Sequence, residues 1–201
     1  MNISPINAES ECEPLCRSYV CAVFDVLSLR IQGEAGPRPV PLLWAIGILS
    51  DHLPHYLGAW HMRGPEDSWP AVADDLRDRG IERLRIVFAP DPVETQAALA
   101  AHYRGVTVVP AAASIDDSLI DPALSGHRPY IERALNVAGP LNLRLKRAVA
   151  RHGPFAAASA AAALVRGSAD RYIYANWPAH PEPPMRAMRE TTSWTMTATG
   201  G

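Results

Sequence analysis

The sequence predicts an α/β domain, a mixed sheet flanked by helices with further helices toward the C-terminus. Three observations predict it. Strand-length stretches rich in β-branched and aromatic residues are punctuated by Gly and Pro. Between them lie segments whose apolar residues recur at helical spacing. The order is three strands first and strand–helix alternation afterwards, which builds one sheet with both antiparallel and parallel neighbours. A chain of 201 residues, 48% of them hydrophobic, suffices for a single core. No apolar run approaches the roughly 18–20 residues of a membrane span, so no membrane partner is expected. The opening MNISPINAESECEPL has neither the basic nor the apolar region of an export signal, and a cytoplasmic location is expected. A net charge of −2 gives no global attraction to polyanions. Lys146 is the single lysine among many arginines, which reads as coding bias.

Residues 19–31, YVCAVFDVLSLRI, form the first predicted strand, which breaks at Gly33. A turn at Gly36-Pro37-Arg38-Pro39 precedes residues 40–50, nearly all apolar and so a buried strand. Residues 51–54 turn the chain into a third strand at 55–62, completing an antiparallel meander. Trp69, Val72, Ala73 and Leu76 then fall on one helical face, with Asp74, Asp75, Arg77 and Asp78 turned away and Gly80 placed as a C-terminal cap. A strand at 81–89, a helix at 92–103 with Pro in its first turn, and a short strand at 106–109 follow. The order β-β-β-α-β-α-β is that of the ribonuclease H-like fold. Pro140 is expected to open a helix that runs to His152, and the Ala-rich stretch 156–165 a second one ended by Gly167-Ser168. Residues 1–18 are expected to be an N-terminal extension, 19–177 the domain and 178–201 a frayed tail.

The stretch NVAGPLNLRLKRAVARHGPF, residues 136–155, carries the most specific pattern. It resembles the last catalytic motif of the Mutator-type bacterial insertion-sequence transposases. There an Asn is followed three residues later by the catalytic Glu, and three after that by a second Asn, a basic helix and an Arg-Gly-His-Phe-like turn. Asn136 and Asn142 stand at that spacing, Arg144, Lys146, Arg147 and Arg151 supply the basic helix, and His152-Gly153-Pro154-Phe155 the turn. Gly139 holds the Glu position. Phe24-Asp25, Ile46-Gly47-Ile48, Leu57-Gly58-Ala59-Trp60 and the helix ending in Arg79-Gly80 resemble earlier segments of the same family, in the same order.

The resemblance implies a ribonuclease H-like core and DNA strand transfer by three acids holding two Mg²⁺ ions. Carboxylates suit that task because Mg²⁺ is a hard ion that prefers oxygen ligands, and paired metals activate the attacking hydroxyl and stabilise the leaving oxygen. Asp25 fills the first acid position. Alternation places it with Val23 and Leu27, where a lone carboxylate needs a partner or a metal; the other reading is a half-exposed strand with Asp25 turned to solvent. At the second position ungapped alignment puts Pro90, with Asp91 next to it. Asp91 either substitutes for the acid, as a weak metal ligand, or caps the helix that begins at Pro92, and the cap is favoured. At the third, Gly139 has no side chain to offer. Glu132 lies several residues off, and Pro110-Ala111-Ala112-Ala113 stands where the family has a Cys-x-x-His pair.

With about eighteen residues before the first strand, the family's N-terminal DNA-binding region is expected to be absent, and with 26 between Val109 and Asn136 so is its helical insertion. The expectation is therefore a transposase-like protein without strand transfer and without a cofactor, a relic or repurposed module that binds DNA or a partner. An active enzyme with Mg²⁺ on acids in another register, and a self-associating module (a homodimer through the Ala-rich helix), are the alternatives. Six Arg/Lys and no acid between Arg133 and Arg166 make a basic ridge of Arg144, Lys146, Arg147 and Arg151. It suits a phosphate backbone, or else is a solvated face balancing acids elsewhere. Cys12, Cys16 and Cys21 lack zinc spacing and a fourth ligand and read as reduced thiols. His52, His55 and His61 read as ordinary surface residues.

Overall fold

The computed structural model describes residues 14–62, 65–111 and 122–178. Strand β1 (Ser18–Gly33) turns through Gly36, at φ 108, into antiparallel β2 (Gly36–Ile48), which turns into antiparallel β3 (Pro54–His61). Helix α1 (Pro65–Asp78) returns the chain to β4 (Arg83–Ala89), parallel to β1. Helix α2 (Pro92–Ala100) leads to β5 (Thr107–Pro110), parallel to β4, and the sheet order is β3-β2-β1-β4-β5. A 3-10 turn at Pro122–His127 then precedes α3 (Arg128–His152) and α4 (Ala158–Asn176). The expected meander, the alternation and the mixed α/β sheet between helices are all present.

Strand alternation divides the core into two layers. Val23, Leu27, Leu29 and Ile31 of β1 pack with Leu42, Trp44 and Ile46 of β2 against Ile131, Val137, Leu141 and Leu145 of α3 and Ala161, Val165 and Ala169 of α4. The other side carries Ala22, Phe24, Leu43, Ala45 and Leu57 under Trp69, Val72, Ala73 and Leu76 of α1, with Leu99 and Tyr103. Opposite faces of the central strands are thus covered by different helix pairs. No helix among the described residues is long and apolar enough to cross a membrane.

Three expectations are corrected. Strand β2 begins at Gly36 rather than Val40, running through Pro37, Pro39 and Pro41. These alternate prolines direct their missing N–H groups to one edge. Register with β3 starts at Leu42, and beyond it only the Pro41 carbonyl is used, accepting from the Met62 N–H at 3.2 Å, so Pro37 and Pro39 have no ladder to lose. Helix α3 does not begin at Pro140 but passes through it from Arg128. Pro140 removes the bond to the carbonyl of Asn136, and both residues are exposed, so the missing bond lies on the solvent side of the helix. Helix α4 does not stop at Gly167-Ser168 but continues to Asn176, because Ser168, Ala169 and Ile173 are buried in the packed face. Of the expected tail, only Pro178 belongs to the described residues.

Candidate functional site

Asp25 sits well inside β1, opposite Trp44 of β2 and in the same alternating row as Val23 and Leu27. Its side chain therefore points at α3 rather than away from the protein. Leu141 and Leu145 anchor that helix on the sheet at 0% exposure, which fixes the position of Asn142 beside them. The Asn142 side-chain amide donates to Asp25 Oδ2, and the Val26 N–H donates to Oδ1 at 2.7 Å. A half-buried carboxylate is thereby satisfied by N–H donors from both sides. The Asn142 Oδ1 atom is buried without a partner.

Gly139 precedes Asn142 by three residues and Lys146 follows it by four, so with 3.6 residues per turn the three share a flank of α3. A Cβ built at Gly139 would meet nothing within 4 Å. The glycine is not demanded by packing. Asn136, one further step back, is exposed and takes no part in the contact.

Asp91 is not brought to this pair. It is the N-cap of α2, its Oδ1 accepting from the Glu94 N–H at 3.3 Å, and it is exposed. The parallel register ends at Val23 with Phe88, and two more steps along both strands put Pro90 beside Asp25. Asp91 is thus adjacent in sequence to the position an acid would need and is committed to the helix end instead. Glu132 pairs with Arg128 at 2.9 Å on the exposed side of α3. Among the described residues no three His, Cys, Asp or Glu side chains gather as a metal site. Residues 112 and 113, part of the segment standing at the family's Cys-x-x-His position, lie outside the described residues.

The basic ridge is two surfaces rather than one. Arg144, Ala148 and Arg151 follow one another at spacings of four and three on the flank toward α4, and Arg147 stands beside them, its carbonyl accepting from Arg151 Nε at 3.3 Å. Lys146 belongs to the opposite flank, with Gly139 and Asn142. All four basic side chains are exposed. The turn after them is pinned to the sheet. Phe155, 1% exposed, donates its N–H to the Arg30 carbonyl and accepts from the Gln32 N–H, both at 2.8 Å. Gly153 at φ 80 permits that approach, and the His152 ring stacks on Phe155 at 4.4 Å.

Two of the hairpin histidines have separate engagements. His52 stacks on Tyr130 at 4.2 Å, and His55 Nδ1 lies 2.6 Å from the Tyr19 hydroxyl. Burial of Tyr19 pushes its phenol well above the ordinary tyrosine range. His55 is therefore part of a partly buried polar contact rather than an ordinary surface residue. Cys21 is buried and Cys16 exposed, both as free thiols; Cys12 lies outside the described residues.

Sequence reading flagged Asp25 and Asn142 separately but missed that they pair, since 117 residues separate them. No local pattern reports such a contact. Arg171 is also overlooked when α4 is ended at Gly167-Ser168. Among known proteins, no family model matches this chain and no curated sequence matches it.

Proposed function

We propose that this chain is a ribonuclease H-like, transposase-derived domain that holds nucleic acid without cutting it. The observation that carries the reading is the contact between Asp25 on the central strand and Asn142 on α3. Two of the landmarks that carry the resemblance to Mutator-type transposases are side by side in space. The sheet order β3-β2-β1-β4-β5, antiparallel through β3 and parallel thereafter, agrees with a ribonuclease H-like core.

The same contact argues against cleavage. Two Mg²⁺ ions need several oxygen ligands converging on one point. Here one carboxylate, Asp25, faces α3, and amide N–H groups occupy both its oxygens with their positive ends. Gly139 offers no ligand and Asp91 caps α2. This donor set does not fit a two-metal centre. What remains for nucleic acid is electrostatic: exposed arginines on α3, with Lys146 on the Asn142 flank, suited to phosphates by charge and, for arginine, by its planar fork of donors.

Two measurements on the purified chain test this reading. Supercoiled plasmid incubated with Mg²⁺ or Mn²⁺ should stay intact, while labelled duplex should bind at low salt and dissociate as salt rises. Nicking that the Asp25→Asn variant abolishes would establish an active enzyme and overturn the first half. Absence of any salt-sensitive binding would overturn the second.

A further inference from the structure

Helices α3 and α4 leave an open groove of about 290 Å³ between them, lined by Arg144, Arg151 and His152 from α3 and by Leu164, Ser168 and Arg171 from α4. Three arginines line this one small concavity, and their like charges favour an anion there. Among the described residues none of the three has a carboxylate within ion-pair distance; the nearby acid Asp170 pairs with Arg166 one turn back. Helical spacing explains the separation. Leu164, Ser168 and Arg171 follow one another at four and three along one side of α4, as Arg144, Ala148 and Arg151 do along α3, and Asp170 falls off that line. Ser168, 3% exposed, and Ala148 are the small residues of the lining, which thus carries arginines from both helices with little bulk between them.

We propose that this groove seats one backbone phosphate of a nucleic acid, held between Arg144 and Arg151 on one wall and Arg171 on the other. The proposal rests on the nucleic-acid reading above and refines it. The register of the polymer is set where α3 meets α4, on the flank of α3 away from Asp25, and Arg147 and Lys146 add only diffuse attraction. A strand fixed here is anchored at a place other than the Asp25–Asn142 pair, in keeping with holding rather than cutting.

The test compares Arg171→Ser with Arg85→Ser, an exposed arginine of β4 outside the groove, so that both variants lose the same charge. Duplex affinity is measured by fluorescence anisotropy across a salt series, with circular dichroism confirming that each variant folds. Arg171→Ser should reduce the slope of log K against log salt by about 0.9, the value for one phosphate contact, and Arg85→Ser should leave it close to the parent. Equal effects of the two substitutions, with parental binding intact, would overturn the seat while leaving the nucleic-acid reading standing. No parental binding at all would remove both. In a second arm, inorganic phosphate alone is titrated while arginine Nε–H resonances are followed. Shifts confined to Arg144, Arg151 and Arg171 support the seat, and shifts spread over all arginines count against it. Phosphate shifts in a protein that does not retain duplex would assign the groove to a free anion and overturn the backbone proposal.

Discussion

The Asp25–Asn142 contact can be weighed by a double-mutant cycle, using Asp25→Ala, Asn142→Ala and the pair together. A hydrogen bond to a charged group contributes about 1.5–3 kcal/mol when its partners are withdrawn from water. Asp25 is half-buried and Asn142 likewise, with Leu141 and Leu145 closing the helix side, so the pair belongs in that range rather than with exposed pairs. Removing Asn142 leaves the carboxylate with the Val26 N–H alone; removing Asp25 leaves the amide unpaired beside Val23 and Leu27. Each single change should therefore lower stability by more than its lost packing, and the double change by less than the sum. The expected coupling is about 1.5–3 kcal/mol, measured by urea denaturation. In thermal unfolding each kilocalorie corresponds to about 2–4 °C for a domain of this size. A coupling below about 0.5 kcal/mol would mean that the two side chains act independently, and the site built around them would have no energetic basis.

The remaining predictions concern neighbouring features. Gly139→Glu should be tolerated or stabilising by about 0.5–1 kcal/mol, because a Cβ there meets nothing and glycine is a poor interior helix residue. If that flank faces Asp25, Mn²⁺ should raise the melting temperature of this variant and not of its parent; a metal-insensitive variant would refute the placement. Gly47→Ala should destabilise by about 1–3 kcal/mol, since its Cβ would run into the fully buried Tyr19 ring, and an unchanged denaturation midpoint would contradict that packing. Burial raises the Cys21 thiol and the Tyr19 and Tyr103 phenols above their ordinary values of 9.0 and 10.0. The unfolded chain then loses these protons first, so stability present below pH 9 should fall as pH rises through alkaline values. A flat alkaline profile in equilibrium unfolding would argue that these groups are more accessible than their burial indicates.

The sheet was legible because its residues obey local rules. Alternation in residues 19–31 places both faces of β1 correctly, and the spacing of Trp69, Val72, Ala73 and Leu76 gives the buried face of α1. The prolines and glycines misled for a common reason. Their local cost depends on where the missing hydrogen bond points, and sequence does not report that. Pro37 and Pro39 face a strand edge beyond the reach of β3, Pro140 faces solvent, and Gly167-Ser168 is carried by the buried residues on either side of it. Of the candidate site, the identities of Asp25 and Asn142 could be read but not their union, which tertiary packing of α3 alone creates.

That union also bears on the proposal that a catalytic centre has been lost. A protein that merely decays at an abandoned centre has no reason to satisfy the remaining acid, since an unpaired half-buried carboxylate is a stability defect rather than a functional one. Here the carboxylate accepts from a side chain on α3 as well as from the backbone, so that Asp25 joins the central strand to the helix that covers it. An aspartate in this setting contributes to the fold whether or not it ever held a metal. A structural role for Asp25 is thus compatible with the proposed loss of a catalytic acid at Gly139. They predict opposite responses to substitution: Asp25→Ala should weaken the protein, whereas adding a side chain at Gly139 should not.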